Sequence, residues 1–83
     1  MISCSDYDYI EIVCMYKYPV KLTLRSGEHV DGVALDTQRN QEREECIKIS
    51  IEGREQLVVL ARIIELEVCV DNPHFKQKSF KTS

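Results

Sequence analysis

Acidic and aromatic side chains alternate close to the start of this 83-residue sequence. Asp6, Tyr7, Asp8 and Tyr9 are consecutive, and Glu11 follows shortly after. On a helix, residues two apart point in different directions, so Asp6 and Asp8 are not expected to share a proton as a catalytic pair would. The segment therefore has the chemistry of a binding surface, with negative charge and flat rings, rather than that of an acid–base site.

The other reactive side chains do not form a catalytic or metal-binding motif. The sequence contains four cysteines and two histidines: Cys4, Cys14, Cys46, Cys69, His29 and His74. The cysteines do not have the close C-x-x-C spacing of zinc and redox sites, and the three glycines are too far apart for a phosphate-binding loop. We expect reduced thiols packed as small hydrophobic side chains, with no metal, no cofactor and no enzymatic activity.

Charge and hydropathy exclude further classes of protein. Lys and Arg total 11 against 14 Asp and Glu, which gives a net charge of -3. This balance argues against a protein held on nucleic acid by bulk positive charge, and it fits a partner that is itself basic. The longest apolar runs, 12–16 and 57–61, are too short for a membrane span. The first residues do not have the pattern of a signal peptide, so we expect a cytoplasmic protein.

Strand patterns occupy most of the chain. Val and Ile together occur sixteen times and Ala only twice, a composition typical of β-sheet. Gly32 lies inside one of the strand patterns, where a glycine marks a bulge or a strong bend. The whole pattern predicts a mostly β fold, a small antiparallel barrel whose closure removes exposed edges. Five segments alternate between apolar and polar residues and are joined by short turns: 20–25, 30–35, 47–51, 55–60 and 64–70.

Residues 5–16 can be interpreted in two ways. The segment is rich in strand-forming side chains, which favours a strand. Ile10, Val13 and Cys14, however, have the spacing of one apolar helical face. We predict a short N-terminal α-helix that lies over one end of the barrel.

Two further segments do not fit the strand pattern. Residues 36–45 contain no apolar side chain and predict an exposed loop, with or without a helical turn. Residues 76–83 include three lysines and no acidic residue, which predicts a flexible basic tail. A chain of this length holds one modest core, so we predict a single domain over residues 1–75.

Residues 20–36 resemble the first motif of Sm-like proteins. In that motif a strand, a turn with a glycine and a second strand with an internal glycine lead to a loop that begins with Asp. In RNA-binding members the loop has Asp-x-x-x-Asn spacing, with apolar or aromatic residues between. Asp36 and Asn40 have this spacing, but Thr37, Gln38 and Arg39 stand between them. The resemblance implies an Sm-like fold and leaves an Sm-like RNA-binding module as the alternative function.

The N-terminal segment resembles that of the Rho-binding antiterminator family. That family begins with a Cys-x-Asp-Tyr-Asp segment, then a Glu, then a Cys, ahead of an Sm-like barrel. Here these residues are 4–8, Glu11 and Cys14, and the likeness extends from residue 2 to about residue 75. It implies a small bacterial regulator that inhibits the transcription termination factor Rho. By this resemblance, the protein binds the N-terminal domains of the Rho hexamer and blocks their primary RNA sites.

The resemblance also indicates which residues contact Rho. Surfaces for single-stranded RNA combine basic side chains with aromatic platforms, so a competitor needs negative charge and flat rings. A structural interpretation competes with this one, since the acids would also complement the helix dipole and the tyrosines would also pack in a core. Under that interpretation, Arg39 and Asn40 would be solvated loop residues. We assign Rho binding to Asp6, Tyr7, Asp8, Glu11, Arg39 and Asn40.

The partners follow from the same interpretation. We expect a free monomer that binds Rho and that binds neither nucleic acid tightly nor a membrane. An enzyme or a metal-binding protein is the third hypothesis, which a metal assay on the purified protein would test.

Overall fold

The computed structural model describes residues 4–70 and 77–79. All strand pairs are antiparallel, and the sheet order is β4-β3-β2-β1-β5-β6. The predicted Sm-like architecture, mostly β with an N-terminal helix, is confirmed. The elements in chain order are helix α1 (Cys4–Met15), β1 (Pro19–Leu24), β2 (His29–Arg39), β3 (Glu45–Ile51), β4 (Arg54–Val59), one 3-10 turn (Leu60–Arg62), β5 (Ile63–Val68) and β6 (Gln77–Ser79).

Helix α1 packs on the sheet through the apolar face that its spacing predicts. Ile10 and Val13 are fully buried and Cys14 nearly so. The helix ends in a two-bond cap, in which Tyr18 N–H donates to Val13 O (3.0 Å) and Lys17 N–H donates to Cys14 O (3.2 Å). Lys17 has a φ of 52°, the left-handed conformation that glycine usually provides at this position. The observed bounds differ from the predicted 5–16 by one residue at each end, as is usual for helix termini.

Alternation along the strands buries one face of the sheet. Leu22 of β1 lies opposite Leu66 of β5, and both are fully buried. In β3, Ile47 and Ile49 point inward and are fully buried, while Lys48 between them is only partly buried. This face and the apolar face of α1 enclose one core, which is what a short chain can support.

Gly32 allows two strands to approach closely. A Cβ atom placed on Gly32 would lie 2.5 Å from the Ser50 carbonyl oxygen of β3 and would overlap the Ile49 side chain. The bulge predicted near this glycine lies further along β2. Ala34 pairs with Ile49 and Asp36 with Lys48, so Leu35 is the extra residue.

The prediction that residues 36–45 form a loop is wrong for half of the segment. β2 continues to Arg39 and β3 begins at Glu45, so only residues 40–44 connect them. Residues 36–39 of β2 pair with the first half of β3, where Cys46 and Ile47 are fully buried. This polar segment therefore becomes a strand because it pairs with an apolar partner strand. Intrinsic strand propensity does not include such pairing, so it did not predict this strand.

The expected closure of the barrel is not observed. Among residues 4–70 and 77–79, β4 pairs only with β3, so the sheet has two ends, at β4 and at β6. A sixth strand, Gln77–Ser79, was not predicted, and it pairs with β5. The rest of the predicted basic tail, residues 76 and 80–83, lies outside the described residues. The predicted limit of the domain at residue 75 also lies outside them.

Candidate functional site

The solvent-facing side of α1 is acidic. Because Ile10, Val13 and Cys14 hold the other side against the sheet, Asp8 and Glu11 are exposed. Asp6 lies in the first turn of the helix by its backbone, and its side chain lies outside the described residues. Negative charge near a helix N-terminus also complements the helix dipole, worth typically 0.3–1 kcal/mol for each group.

Tyr7 and Arg39 are brought together although they are far apart in the sequence. Tyr7 is half-buried and packs against the edge of the core. It lines a cleft of about 380 Å³ together with Thr37, Gln38, Arg39 and Glu45. The structural interpretation of Tyr7 is therefore correct for part of its ring, and the cleft gives a partner access to the rest.

A second cleft lies next to Glu11. It has a volume of about 370 Å³, and Glu11, Lys17 and Asp36 are among its lining residues. The Lys17 ammonium donates to the Leu35 carbonyl oxygen (3.1 Å), which ties the end of α1 to the bulge of β2. The two clefts lie along the contact of α1 with the second half of β2, and the carboxylates of Glu11 and Asp36 give this surface its negative charge.

Cys14 lines the second cleft, but it is not a nucleophile. Burial, reinforced by the nearby Asp36 carboxylate, raises the pKa of the Cys14 thiol from 9.0 to about 11. The thiol is therefore protonated at neutral pH, and a thiol in that state reacts slowly. Its place on the buried side of α1 is that of a small hydrophobic residue.

Arg39 is available to a partner. Its guanidinium lies 3.7 Å from the Glu45 carboxylate, and the two side chains are 67% and 50% exposed. Exposed pairs of this kind contribute about 0–1 kcal/mol, so the pair is weak enough to exchange for a contact with a partner.

Asn40 organises the loop between β2 and β3. Its side-chain oxygen accepts hydrogen bonds from the backbone N–H groups of Glu42 and Glu44, both at 2.9 Å. Its side-chain nitrogen donates to the Glu44 carboxylate at 3.1 Å, which lowers the pKa of that carboxyl. Asn40 thus shapes the loop that follows Arg39, and its predicted contact with Rho stays a prediction.

Three residues of this surface were not assigned to it from the sequence. Glu45, Lys17 and Asp36 line the clefts beside α1. The sequence pointed to Asp36 only because its spacing from Asn40 is that of the loop in RNA-binding Sm-like proteins. The signal that would have found Glu45 and Asp36 is the pairing of β2 with β3 beyond residue 35, which propensity alone does not reveal. Lys17 is placed instead by the cap that ends α1.

Other kinds of site are not evident in the described part of the chain. Within residues 4–70 and 77–79, no three His, Cys, Asp or Glu side chains are grouped as metal ligands. No helix there has the length and hydropathy that crossing a bilayer requires.

The fold and this surface define a class of protein. It is a small Sm-like β protein whose N-terminal helix carries exposed acids beside shallow clefts, an arrangement suited to binding a partner. A family model described as "Modulator of Rho-dependent transcription termination (ROF)" matches residues 1–80. The chain belongs to this family of modulators of Rho-dependent transcription termination, and the resemblance found in the sequence is confirmed.

A solved structure supports the same assignment. "YaeO bound to Magnesium from Vibrio cholerae O395" is 44% identical in sequence and superposes with a TM-score of 0.87. The match covers 90% of this chain and 97% of that chain. Comparison with curated proteins gives no match.

Proposed function

We propose that this protein inhibits Rho by binding the N-terminal RNA-binding domain of the Rho hexamer and blocking its primary RNA sites. It acts as a monomer in the cytoplasm, by binding and without catalysis. Membership in a family of modulators of Rho-dependent termination supports Rho as the partner. The position of the Asp-Tyr-Asp segment supports α1 as the element that makes the contact, since Asp8 and Glu11 are exposed on this helix.

The observation that carries the proposal is the pairing of a ring with exposed charge at the start of α1. Tyr7 is half-buried and anchored by the core, while Asp8 beside it is exposed. A ring held by its own fold loses little conformational freedom on binding, and tyrosines of this kind are common hot spots of interfaces. The neighbouring carboxylate can meet a basic side chain that would otherwise hold an RNA phosphate.

The other predicted contacts lie on α1 and at the end of β2. Glu11 lies one helical turn after Asp8 and faces solvent on the same helix. Arg39 borders the cleft that Tyr7 lines, at the end of β2. Asp6 precedes Tyr7, and Asn40 holds the loop next to Arg39. We assign Tyr7 and Asp8 the main role, Glu11 and Asp6 a supporting role, and Arg39 and Asn40 a peripheral one.

The experiment that tests the proposal is a displacement assay. Rho is loaded with a labelled C-rich single-stranded RNA, and release of the RNA is measured as this protein is added. The wild type is expected to displace the RNA, and the Tyr7→Ala, Asp8→Ala double variant is expected to need at least tenfold more protein. Because Tyr7 packs against the core, the unfolding midpoint of the variant in urea is measured alongside.

A matched control separates the site from general charge effects. Glu52 is exposed at the turn between β3 and β4 and lines neither of the clefts beside α1, so Glu52→Ala removes one negative charge outside the site. It is expected to displace RNA as well as the wild type does. Full displacement by a folded double variant would contradict the site, and residues 36–45 would then be the next segment to test for the contact with Rho.

A further inference from the structure

We propose that Lys17 is a positioning residue, whose side chain holds the C-terminal end of α1 on β2. Through this contact α1 keeps the orientation in which its acidic side faces Rho, and the second cleft stays closed over Cys14. The effect on Rho rests on the proposed function, whereas the effect on the cleft does not.

Lys17 has a backbone conformation that its residue type disfavours. Its φ of 52° is left-handed, and the position just after a helix is one where glycine is usual. Two other non-glycine residues of the described part, Arg43 and Glu52, also have positive φ. Both lie in exposed connections between strands. Lys17 differs from them because its side chain bonds to another element of the fold.

The acceptor of this bond is an oxygen of the bulge. The Lys17 ammonium donates to the Leu35 carbonyl oxygen at 3.1 Å. Leu35 has no partner in the register of β2 with β1 or with β3, because it is the extra residue. Glu11 and Asp36 line the same cleft, yet among residues 4–70 and 77–79 neither forms an ion pair with Lys17. The carbonyl oxygen therefore places the lysine, and both carboxylates stay available to a partner.

The packing of α1 explains why this bond matters. The helix meets the sheet through one narrow apolar face, formed by Ile10, Val13 and Cys14. Because hydrophobic burial is non-directional, it holds the helix against the sheet but resists rotation about the helix axis less strongly. A directional bond from the helix cap to β2 opposes that rotation. The exposed Asp8 and Glu11 keep their direction as a result.

Labelling with a thiol reagent measures the position of α1 without Rho. Cys14 is 7% exposed and lines the second cleft, whereas Cys46 is fully buried in β3. Mass spectrometry gives the labelling rate of each cysteine in one sample. In Lys17→Gly and Lys17→Met, which both lose the donor, Cys14 is expected to react about fivefold faster and Cys46 at an unchanged rate, because local opening frees one thiol and global unfolding frees both. Lys17→Arg keeps a charged donor and is expected to label as slowly as the wild type.

Two controls separate this bond from other effects of the substitutions. Burial raises the pKa of the Cys14 thiol to about 11, and the Lys17 charge opposes that rise. Loss of the charge alone would therefore slow the labelling, so faster labelling reports access to the thiol. Glu52→Gly replaces another left-handed residue, one whose side chain lines neither cleft beside α1. It is expected to change neither the labelling of Cys14 nor the binding of Rho.

Release from Rho measures the effect on the contact. Loss of a positive charge should not slow association with a basic surface, so the effect is expected in the dissociation rate. Lys17→Gly and Lys17→Met should leave Rho about threefold faster than the wild type does, as a misplaced contact surface dissociates sooner. The urea midpoint of Lys17→Gly should stay at the wild-type value, because relief of the left-handed strain offsets the lost hydrogen bond.

Unchanged labelling of Cys14 in both folded variants would overturn the role of Lys17. A parallel rise at Cys46 would also overturn it, because the effect would then be one of global stability. Faster labelling of Cys14 with unchanged release from Rho would overturn the role in the contact. Release of Asp8→Asn at the wild-type rate would instead contradict the proposed site on α1, and the labelling of Cys14 would still decide whether Lys17 holds the helix.

Discussion

The two halves of β2 meet different demands. In the first half, Gly32 and Ala34 lie against β3 so closely that one added methyl group at Gly32 would overlap Ile49. In the second half, from Leu35 to Arg39, the strand lies beside α1 and lines two clefts. The first half of β2 thus encloses the core, and the second half lines the candidate binding surface. Substitutions in the first half should therefore change stability, and those in the second half should change binding.

The largest expected effect is on stability, at Gly32. Gly32→Ala places a Cβ 2.5 Å from the Ser50 carbonyl oxygen, and we expect the free energy of unfolding to fall by about 3 kcal/mol or more. Gly27→Ala is the matched control, since nothing lies within 4 Å of its Cβ and only its φ of 92° is unfavourable. That variant should lose about 1–2 kcal/mol. Urea unfolding of both variants measures the difference, and equal losses would show that Gly32 is not tightly enclosed.

The next largest effect is expected on Rho binding, in variants that spare the core. Asp8→Asn should weaken binding at least tenfold, about 1.4 kcal/mol, because a basic group of Rho loses its partner. Glu11→Gln should cost less, and Arg39→Ala less again, because Glu11 lies on α1 with Asp8 whereas Arg39 lies at the end of β2 and already has Glu45 as a partner. Titration of labelled Rho with each variant gives the order. Because all three side chains are exposed, the urea midpoints should stay close to that of the wild type. A reversed order would move the centre of the contact to the end of β2.

A smaller effect is expected from salt. If the acids on α1 meet basic side chains of Rho, the association rate should fall several-fold as ionic strength rises, because screening shortens the reach of charge to about 8 Å at 0.15 M. Stopped-flow measurement of the rate for the wild type and for the Asp8→Asn, Glu11→Gln variant makes the comparison. The variant should show a flatter dependence, and a flat dependence for the wild type would indicate an apolar contact.

The smallest expected effect is on the binding of RNA by the free protein. The free protein should not bind a single-stranded oligonucleotide with a sub-micromolar dissociation constant at physiological salt. Its net charge is -3, and residues 37–39 stand where an Sm-like loop has its stacking side chains. Fluorescence anisotropy with a labelled C-rich oligonucleotide tests this. Tight binding would favour the Sm-like RNA-binding module instead.

Local pattern was enough to predict most of the fold. Alternation located β1, β3, β4 and β5, and the spacing of Ile10, Val13 and Cys14 identified the buried face of α1. These elements are amphipathic on their own, so their period appears in the sequence. The second half of β2 was missed because it is a polar segment that pairs with the buried start of β3. β6 was missed because it is short and polar and is defined by its pairing with β5.

The sequence pointed to some residues of the candidate site but not to their arrangement. The N-terminal segment pointed to Asp8 and Tyr7, and its resemblance to a family supplied the partner. The clefts that join Tyr7 to Arg39 and Glu11 to Asp36 depend on where α1 rests on β2. Long-range packing of this kind leaves no periodic signal in the chain. The hydrogen bonds that the Asn40 side chain accepts within the loop could not be predicted from the sequence either. The spacing of Asn40 from Asp36 suggested the RNA-binding loop of Sm-like proteins instead.

The bulge at Leu35 changes which positions of β2 face the core. Before the bulge, the side chains of the even-numbered Val30 and Ala34 are buried. After it, the odd-numbered Thr37 lies opposite the buried Ile47 of β3. Because Leu35 is the extra residue, a chain that lacks it would keep Asp36 opposite Lys48 and Thr37 opposite Ile47, and the positions up to Arg39 would keep their faces. The bulge instead supplies the Leu35 carbonyl oxygen that accepts the hydrogen bond from the Lys17 ammonium. Deleting Leu35 would therefore remove the tie between the end of α1 and β2 and leave the pairing of β2 with β3 as it is.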